Sequence, residues 1–381
     1  MATGIIAEYN PFHKGHKYHI DETKKATQDD IIAIISGNFV QRGEPAMTDK
    51  HTRAKMALLN GVSIVLELPV EFATASADIF AMGAVNILNS CGIINNLSFG
   101  SEEGKTEVFN SIAEILNNEP DDFKQILKNN LNKGISYPTA RNKALEEYTG
   151  QSLDFLSKPN NILGLEYIRQ LKEINSSIYP ITIERIVSDY NSAKLSGEIS
   201  SASAIRTALI NKNNTALSSV PENCLELIKN NSIPILNDYS QILSYILRTK
   251  TANEIATYAD VTEGLENRII NTEFNNISNL IGKLKTKRYT YSKLQKAILH
   301  IILGITKEEQ QKSPQYIRVL GFRNDKKHLL SQLTKRASLP VIINVKNNEE
   351  LLKKEILATD IYNIAKGNKK GMEYSTPIVI V

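Results

Sequence analysis

The chain has 381 residues, 41% of them hydrophobic and 23% charged, with a formal net charge of +4. This is the composition of an ordinary globular protein, and the length exceeds one core, so two or three domains are expected. Two distant cysteines, Cys91 and Cys224, exclude a disulfide framework or a cysteine zinc site. No apolar run reaches the roughly 18 residues of a membrane span, and no basic segment followed by an apolar stretch opens the chain. A reducing, cytoplasmic setting is therefore expected.

Charge is unevenly placed. Residues 241–381 carry 23 Lys and Arg against 13 Asp and Glu, a balance of +10, which leaves −6 for residues 1–240. An acidic front and a basic back predict two modules, 1–235 and 236–381, the second facing either a polyanion or simply solvent.

Along the first hundred residues, "TGIIAE" (3–8), "IIAII" (31–35), "VSIVLEL" (62–68) and "NLSFG" (96–100) are short, apolar and β-branched, as in strands buried on both faces. Helical patterns lie between them: "HKGHKYHIDETKKA", "DKHTRAKMALLNG" and "ADIFAMGAVNILNSCG". Gly61 and Gly92 fall where helices end. Strand–helix alternation at this spacing predicts an α/β fold with a doubly wound parallel sheet, whose ligands bind beyond the carboxyl ends of the strands. Residues 105–175 read as helical, "SIYPITIERI" (177–186) as a further strand, and "SASAIRTALI" (201–210) as a serine-capped helix.

Beyond a linker at 231–240, "YSQILSYILRTK", "VTEGLENRIINTE", "ISNLIGKLKTKRYT" and "YSKLQKAILHIILG" have helical periodicity. This predicts a mainly helical, basic C-terminal domain. The tail carries strand-like runs, "YIRVLGF", "LPVIINV" and "TPIVIV", around helices near 326–337 and 348–366; a small α/β subdomain at 315–381 is one reading.

The segment with most chemistry follows the first strand. His13, His16 and His19 occupy seven positions of a chain with six histidines, and Gly15 lets a backbone approach closely. Free amides at a helix start attract phosphate, and His13 and His16, one turn apart, would face the same phosphate. The alternatives are a metal pair, for which no third ligand is evident, and a purely structural role, against which the polar loop argues. "SGNFVQRGEPA" (36–46) follows the second strand. Asn38, Gln41 and Arg42 there could hold a small substrate, or Arg42 could pair with Glu44. Lys50 and Arg53, at helical spacing, are either phosphate contacts or solvated charges. "GSEEGKT" (100–106) has three residues between its glycines where a phosphate-binding loop of that type has four, and is set aside.

"NPFHKGH" after a first strand resembles the HxGH signature of the nucleotidylyltransferase superfamily, Rossmann-like proteins that include class I aminoacyl-tRNA synthetases. A second superfamily element, an ISSTxIR-like helix start, is matched by "ISSASAIR" (199–206) with one residue more between "ISS" and "IR". "GIIAEYNPFHKGH", "SGNFVQRGEPA", "NGVSIVLELP", "SFGSE", "KPNNILGLEYI" and "KRYTYSKLQKAILHIILGI" together resemble the bacterial tRNA(Met) cytidine acetate ligase family, nearly end to end. That resemblance implies activation of acetate by ATP, with Mg2+ as counter-ion, and transfer of the acetyl group to the wobble cytidine of elongator tRNA(Met). No membrane and no obligate protein partner are expected. It assigns catalysis to His13, His16 and Arg206, the last as a phosphate clamp. It assigns the nucleotide to Ile6, Ala7, Glu8, Tyr9, Asn10, Pro11, Phe12, His13, Lys14, Gly15, His16, Lys17, Tyr18 and His19, with Gly100, Asn160, Arg185 and Ile186. Without the resemblance, Gly100 reads equally as a strand-end turn and Asn160 as a helix cap. In the basic half, Lys283, Lys285, Lys287, Arg288, Lys293 and Lys296 interleave with Tyr289 and Tyr291. Such a stretch suits an RNA backbone and unpaired bases, or else the tyrosines pack on the core. The alternative activity is an adenylyltransferase for a phosphate-bearing cofactor precursor.

Overall fold

In the computed structural model, the described residues are 1–102, 104, 106–185, 200–229, 232–262, 264–286 and 289–381. The strands are β1 (Ala2–Ala7), β2 (Asp30–Ser36), β3 (Phe39–Val40), β4 (Glu44–Pro45), β5 (Ile64–Leu68), β6 (Ile94–Ser101), β7 (Tyr179–Glu184), β8 (Ile317–Phe322), β9 (Val341–Ile342) and β10 (Val379–Ile380). β3 and β4 form a hairpin. The others form an eight-stranded sheet in the order β10-β8-β5-β2-β1-β6-β7, with β9 paired to β8. From β5 to β7 every pairing is parallel.

Period-two alternation decides which face each side chain meets. Ile32 and Ile34 of β2, with Ile64, Leu66 and Leu68 of β5, enter one core. Ile31, Ala33, Ile35 and Val65 enter the opposite one. The helices Ala77–Ser90 and Pro159–Glu173 cover the first face, and Lys14–Thr27 and Lys50–Leu59 the second. The sheet is doubly wound, as expected. After β5 the chain crosses back and pairs β6 to the other side of β1. This reversal opens a crevice above the carboxyl ends of β1 and β6, where such sheets bind ligands.

A third core belongs to the basic half. Leu243, Ile255, Ile269, Leu280, Leu294, Ile298 and Ile302 cluster there with Phe39 of the β3–β4 hairpin and Tyr362. Helices Ser240–Thr249, Ile277–Leu284 and Tyr291–Leu303 supply most of it. Close approach of this core to the hairpin depends on Gly43: a Cβ there would stand 2.9 Å from the backbone N of Lys296.

The tail departs from expectation. Residues 315–381 do not make a subdomain of their own; their strands complete the central sheet. β8 pairs antiparallel with β5, and β10 pairs with β8. The physical reason is burial. All six residues of β8 are buried, with Ile317, Val319 and Phe322 on one face and Leu320 on the other, and β5 would otherwise leave an open edge of unpaired backbone groups. A buried ion cluster locks the junction. Lys50 Nζ lies 2.8 Å from Glu67 of β5 and 2.9 Å from Glu373, and Arg318 of β8 lies 3.6 Å from Glu373. No helix among the described residues is long and apolar enough to cross a membrane.

Candidate active site

The crevice holds a cavity of about 750 Å3, within the range of small-molecule sites. The stretch after β1 forms one wall. Tyr9 leaves the strand with φ of 50°, a left-handed turn uncommon for a non-glycine residue. Its ring then meets Phe12 and His16 edge-on, each with centroids 4.9 Å away. His13 is the N-cap of helix Lys14–Thr27: its Nδ1 accepts from Gly15 N at 3.0 Å, and His16 Nδ1 accepts from His13 N at 3.2 Å. This is a reciprocal capping box built from two imidazoles. The rings stack with centroids 3.7 Å apart.

The caps assign the tautomers. A ring nitrogen that accepts a backbone N–H carries no proton, so each neutral ring bears its hydrogen on Nε2. Burial, and then the Arg185 charge, pushes the His13 pKa down to about 3. Burial, His13, Arg185 and His19 hold His16 well below its ordinary value. Both are therefore neutral donors at neutral pH. His19 Nε2 is 3.0 Å from Ser98 Oγ, itself 2.7 Å from Thr23 Oγ1. Burial and Arg185 bring the His19 pKa down to about 4.

Ile6, Ala7, Glu8, Tyr9, Asn10, His13, Gly15, His16, Tyr18 and His19 all line the cavity, as do Gly100, Asn160 and Arg185. Pro11, Phe12, Lys14 and Lys17 do not. Phe12 is fully buried in the core, and Lys17 pairs with Asp21. Ile186 lies outside the described residues. Asn160 is not a helix cap, because Lys158 is the N-cap of Pro159–Glu173; Asn160 Nδ2 donates to Glu102 at 3.0 Å. Gly100 makes room for Arg185, whose Cγ would be 3.2 Å from an added Cβ.

A second helix start meets the cavity. Ser201 caps Ala202–Ile210, accepting from Ala204 N, and Ser200, Ser201 and Ala202 line the wall. The serine-capped helix is as expected, but Arg206 is not at the cavity. Its guanidinium donates to Asn10 O at 2.7 Å and to Glu44 at 2.8 Å, tying the loop after β1 to the hairpin. A nearby carboxylate and carbonyl satisfy it locally, and the guanidinium beside the histidines is that of Arg185. The buried atoms Asn10 Nδ2, Tyr9 Oη and Ser200 Oγ have no hydrogen-bond partner among the described residues, and all three residues line the cavity. Unpaired buried polar atoms are costly unless a ligand meets them.

Other expected site residues serve the scaffold. Asn38 is buried, with Oδ1 accepting from Lys50 N and Nδ2 donating to Thr359. Lys50 and Arg53 are neither solvated nor at the cavity. Both are buried, Lys50 in the ion cluster described above. Arg53 donates to the carbonyls of Thr48, Glu8, Ser36 and Gly37, bracing the carboxyl ends of β1 and β2. Gln41 and Arg42 of the hairpin do line the cavity, and Gln41 N donates to Glu8 at 2.8 Å. Tyr289 is buried in the helical core with Arg268 and Lys293 near its ring, while Tyr291 is 43% exposed. Lys287 and Arg288 lie outside the described residues. Sequence reasoning passed over Ser292, Ala77, Phe80 and Tyr167, which also line the cavity; they come from helices whose apolar spacing reads as core alone.

A Rossmann-like sheet with capped, neutral imidazoles at its first helix start defines a nucleotidyltransferase-type site. The profile of the HIGH Nucleotidyl Transferase family matches residues 1–376. The tRNA(Met) cytidine acetate ligase of Acetivibrio thermocellus is 40% identical, over 99% of each chain. That of Caldanaerobacter subterraneus subsp. tengcongensis is 43% identical, over 96% of each. Thermotoga maritima TmcAL bound with alpha-thio ATP superposes with a TM-score of 0.91 at 32% identity, covering 100% of this chain and 99% of that one. This chain belongs to the HIGH nucleotidyl transferases and, within them, to the tRNA(Met) cytidine acetate ligases.

Proposed function

We propose that the cavity binds ATP and acetate, forms acetyl-adenylate, and passes the acetyl group to the exocyclic amine of the wobble cytidine of elongator tRNA(Met). In the first step an acetate oxygen attacks the α-phosphorus, and the bond to the β-phosphate oxygen breaks with pyrophosphate as leaving group. In the second the amine nitrogen attacks the acyl carbon, loses a proton, and AMP departs. Carboxylate oxygen alone is a poor leaving group; adenylation replaces it with AMP. The chain must chiefly align reactants and meet charge on the departing phosphates.

The observation that carries this reading is the paired imidazole cap. Its two Nε2–H groups are fixed donors on a wall shared with Arg185 and the second helix start. Because each Nδ1 accepts a backbone N–H, each ring donates from Nε2, and the cost of orientation is met by the fold. Asn10 Nδ2 and Ser200 Oγ offer further polar contacts. Arg206 acts as a positioning residue, holding Asn10 against the hairpin.

Magnesium would enter with the triphosphate, the usual mode for this ion. Among the described residues no group of three His, Cys, Asp or Glu side chains is arranged to hold a metal. The exposed Tyr291 and the cations Lys283 and Lys293 of the helical half suit an unpaired RNA loop, and such a substrate implies the cytoplasm. The test is mass spectrometry of tRNA nucleosides after incubation with ATP and acetate. N4-acetylcytidine at the wobble position is the expected product. Pyrophosphate release driven by a phosphate-bearing cofactor precursor but not by acetate would overturn the reading.

A further inference from the structure

The cavity runs beyond the nucleotide wall. Sheet order places Gly100 and Arg185 over β6 and β7, on one side of β1. Gln41 and Arg42 follow β2, and Ala77 and Phe80 follow β5, on the other side of β1, and Ser292 and Lys296 line the same cavity. Lys296 reaches it from helix Tyr291–Leu303 of the basic half. Its backbone is pressed against the hairpin at Gly43, which sets the helix position closely. Its Nζ donates to Ala75 O at 2.6 Å, using one of three N–H donors.

We propose that Lys296 holds the carboxylate of the substrate acid, with Phe80 and Ala77 walling its apolar end. This rests on the ligase reading above and names the site of its acyl donor.

Three observations favour a small carboxylate over an RNA phosphate. First, Lys296 lines the same cavity as the buried Phe80, whereas the neighbouring Tyr291 is exposed and does not line it. Second, the charges that act on it are Asp260, Asp78 and Glu8, and Arg185, which acts on the histidines, is not among them. Third, burial lowers its pKa against the pull of those three acids, as for a cation whose water has been stripped and which gains from an incoming anion. Arg42, the alternative cation, is exposed.

The test is acetate-dependent pyrophosphate release by the full chain, with ATP binding followed by calorimetry. Lys296→Met keeps the stem and removes the charge. Loss of a charged hydrogen bond predicts an acetate KM raised about 10- to 100-fold, with ATP affinity within about twofold. Retained ATP binding certifies the fold. Lys296→Arg keeps a cation able to reach Ala75 O and should raise the acetate KM less than Lys296→Met. If the wild-type enzyme releases pyrophosphate on acetate but Lys296→Met has an unchanged acetate KM, or raises the tRNA KM instead, this inference is overturned and the ligase reading stands. If the wild-type enzyme shows no acetate response, both fall.

Discussion

Gly100 and Arg185 are packed so closely that a Cβ on the glycine would stand 3.2 Å from the arginine Cγ and 3.5 Å from its Cδ. The two come from neighbouring positions at the ends of β6 and β7, and Arg185 N donates to Ser101 O at 3.1 Å. The missing side chain thus seats the guanidinium that lowers the pKa of all three clustered histidines. Gly100→Ala should displace Arg185 by a few tenths of an ångström and weaken ATP binding several-fold. Arg185→Ala should weaken it more, by ~1.5–3 kcal/mol, the range for hydrogen bonds to charged groups. Calorimetric titration with ATP ranks them; wild-type affinity in Arg185→Ala would remove this residue from the nucleotide site.

His16 has two tasks that substitution can separate. As acceptor at the third helical position it completes the capping box. Its ring also lines the cavity, with the hydrogen on Nε2. His16→Gln keeps an acceptor suited to that position, whereas His16→Ala loses it at about 0.5–2 kcal/mol of stability. Both variants lose the imidazole, and acetate-dependent pyrophosphate release should fall about a hundredfold or more in both, as for one preorganised donor. Urea titration should find the glutamine variant more stable than the alanine one. A near-wild-type rate in either would show that the ring is only a cap.

His19 predicts a pH dependence. Its folded pKa, about 4, is below the ordinary 6.5 because burial and Arg185 disfavour its charge. The unfolded chain therefore binds the proton first as pH falls. The stability this neutral ring contributes is complete above pH 6.5 and is lost between 6.5 and about 4. The loss is at most ~1.4 kcal/mol per pH unit. Glu67, Glu71 and Glu355, each raised to about 7 by burial and neighbouring charges, act with the opposite sign, losing stability as pH rises. The readout is therefore the difference in unfolding free energy between wild type and His19→Gln, which retains a hydrogen-bonding group toward Ser98. That difference should fall steadily from pH 6.5 to 4; a flat difference would contradict a buried neutral ring.

The central strands were legible because their burial is local in origin. A run such as Ile31 to Ile35 is apolar at every position, and it enters both cores. The helix starts at His13 and Ser201 were legible for a related reason: a cap is a contact between residues two or three apart. The histidine cluster follows from position, since residues just past a parallel strand meet above the sheet, whereas Gly100, Asn160 and Arg185 were reached through the family resemblance alone.

Arg206, Asn38, Lys50 and Arg53 stand away from the cavity for one common reason. Each is a polar side chain whose partner is remote in sequence, and a charge on a helical pattern reads as solvated until that partner is known. Lys50 becomes a core residue because Glu373 arrives from the far end of the chain, beside Arg318 of the strand that closes the sheet. Arg206 is held away from the cavity because Glu44 and the carbonyl of Asn10 take up its guanidinium. Sequence by itself determined the parallel sheet, the imidazole-capped helix start and hence the class of chemistry, all set by short-range pattern. Tertiary structure alone decided which cations face the cavity and which are spent as braces, because long-range pairing assigns each buried charge its counterpart.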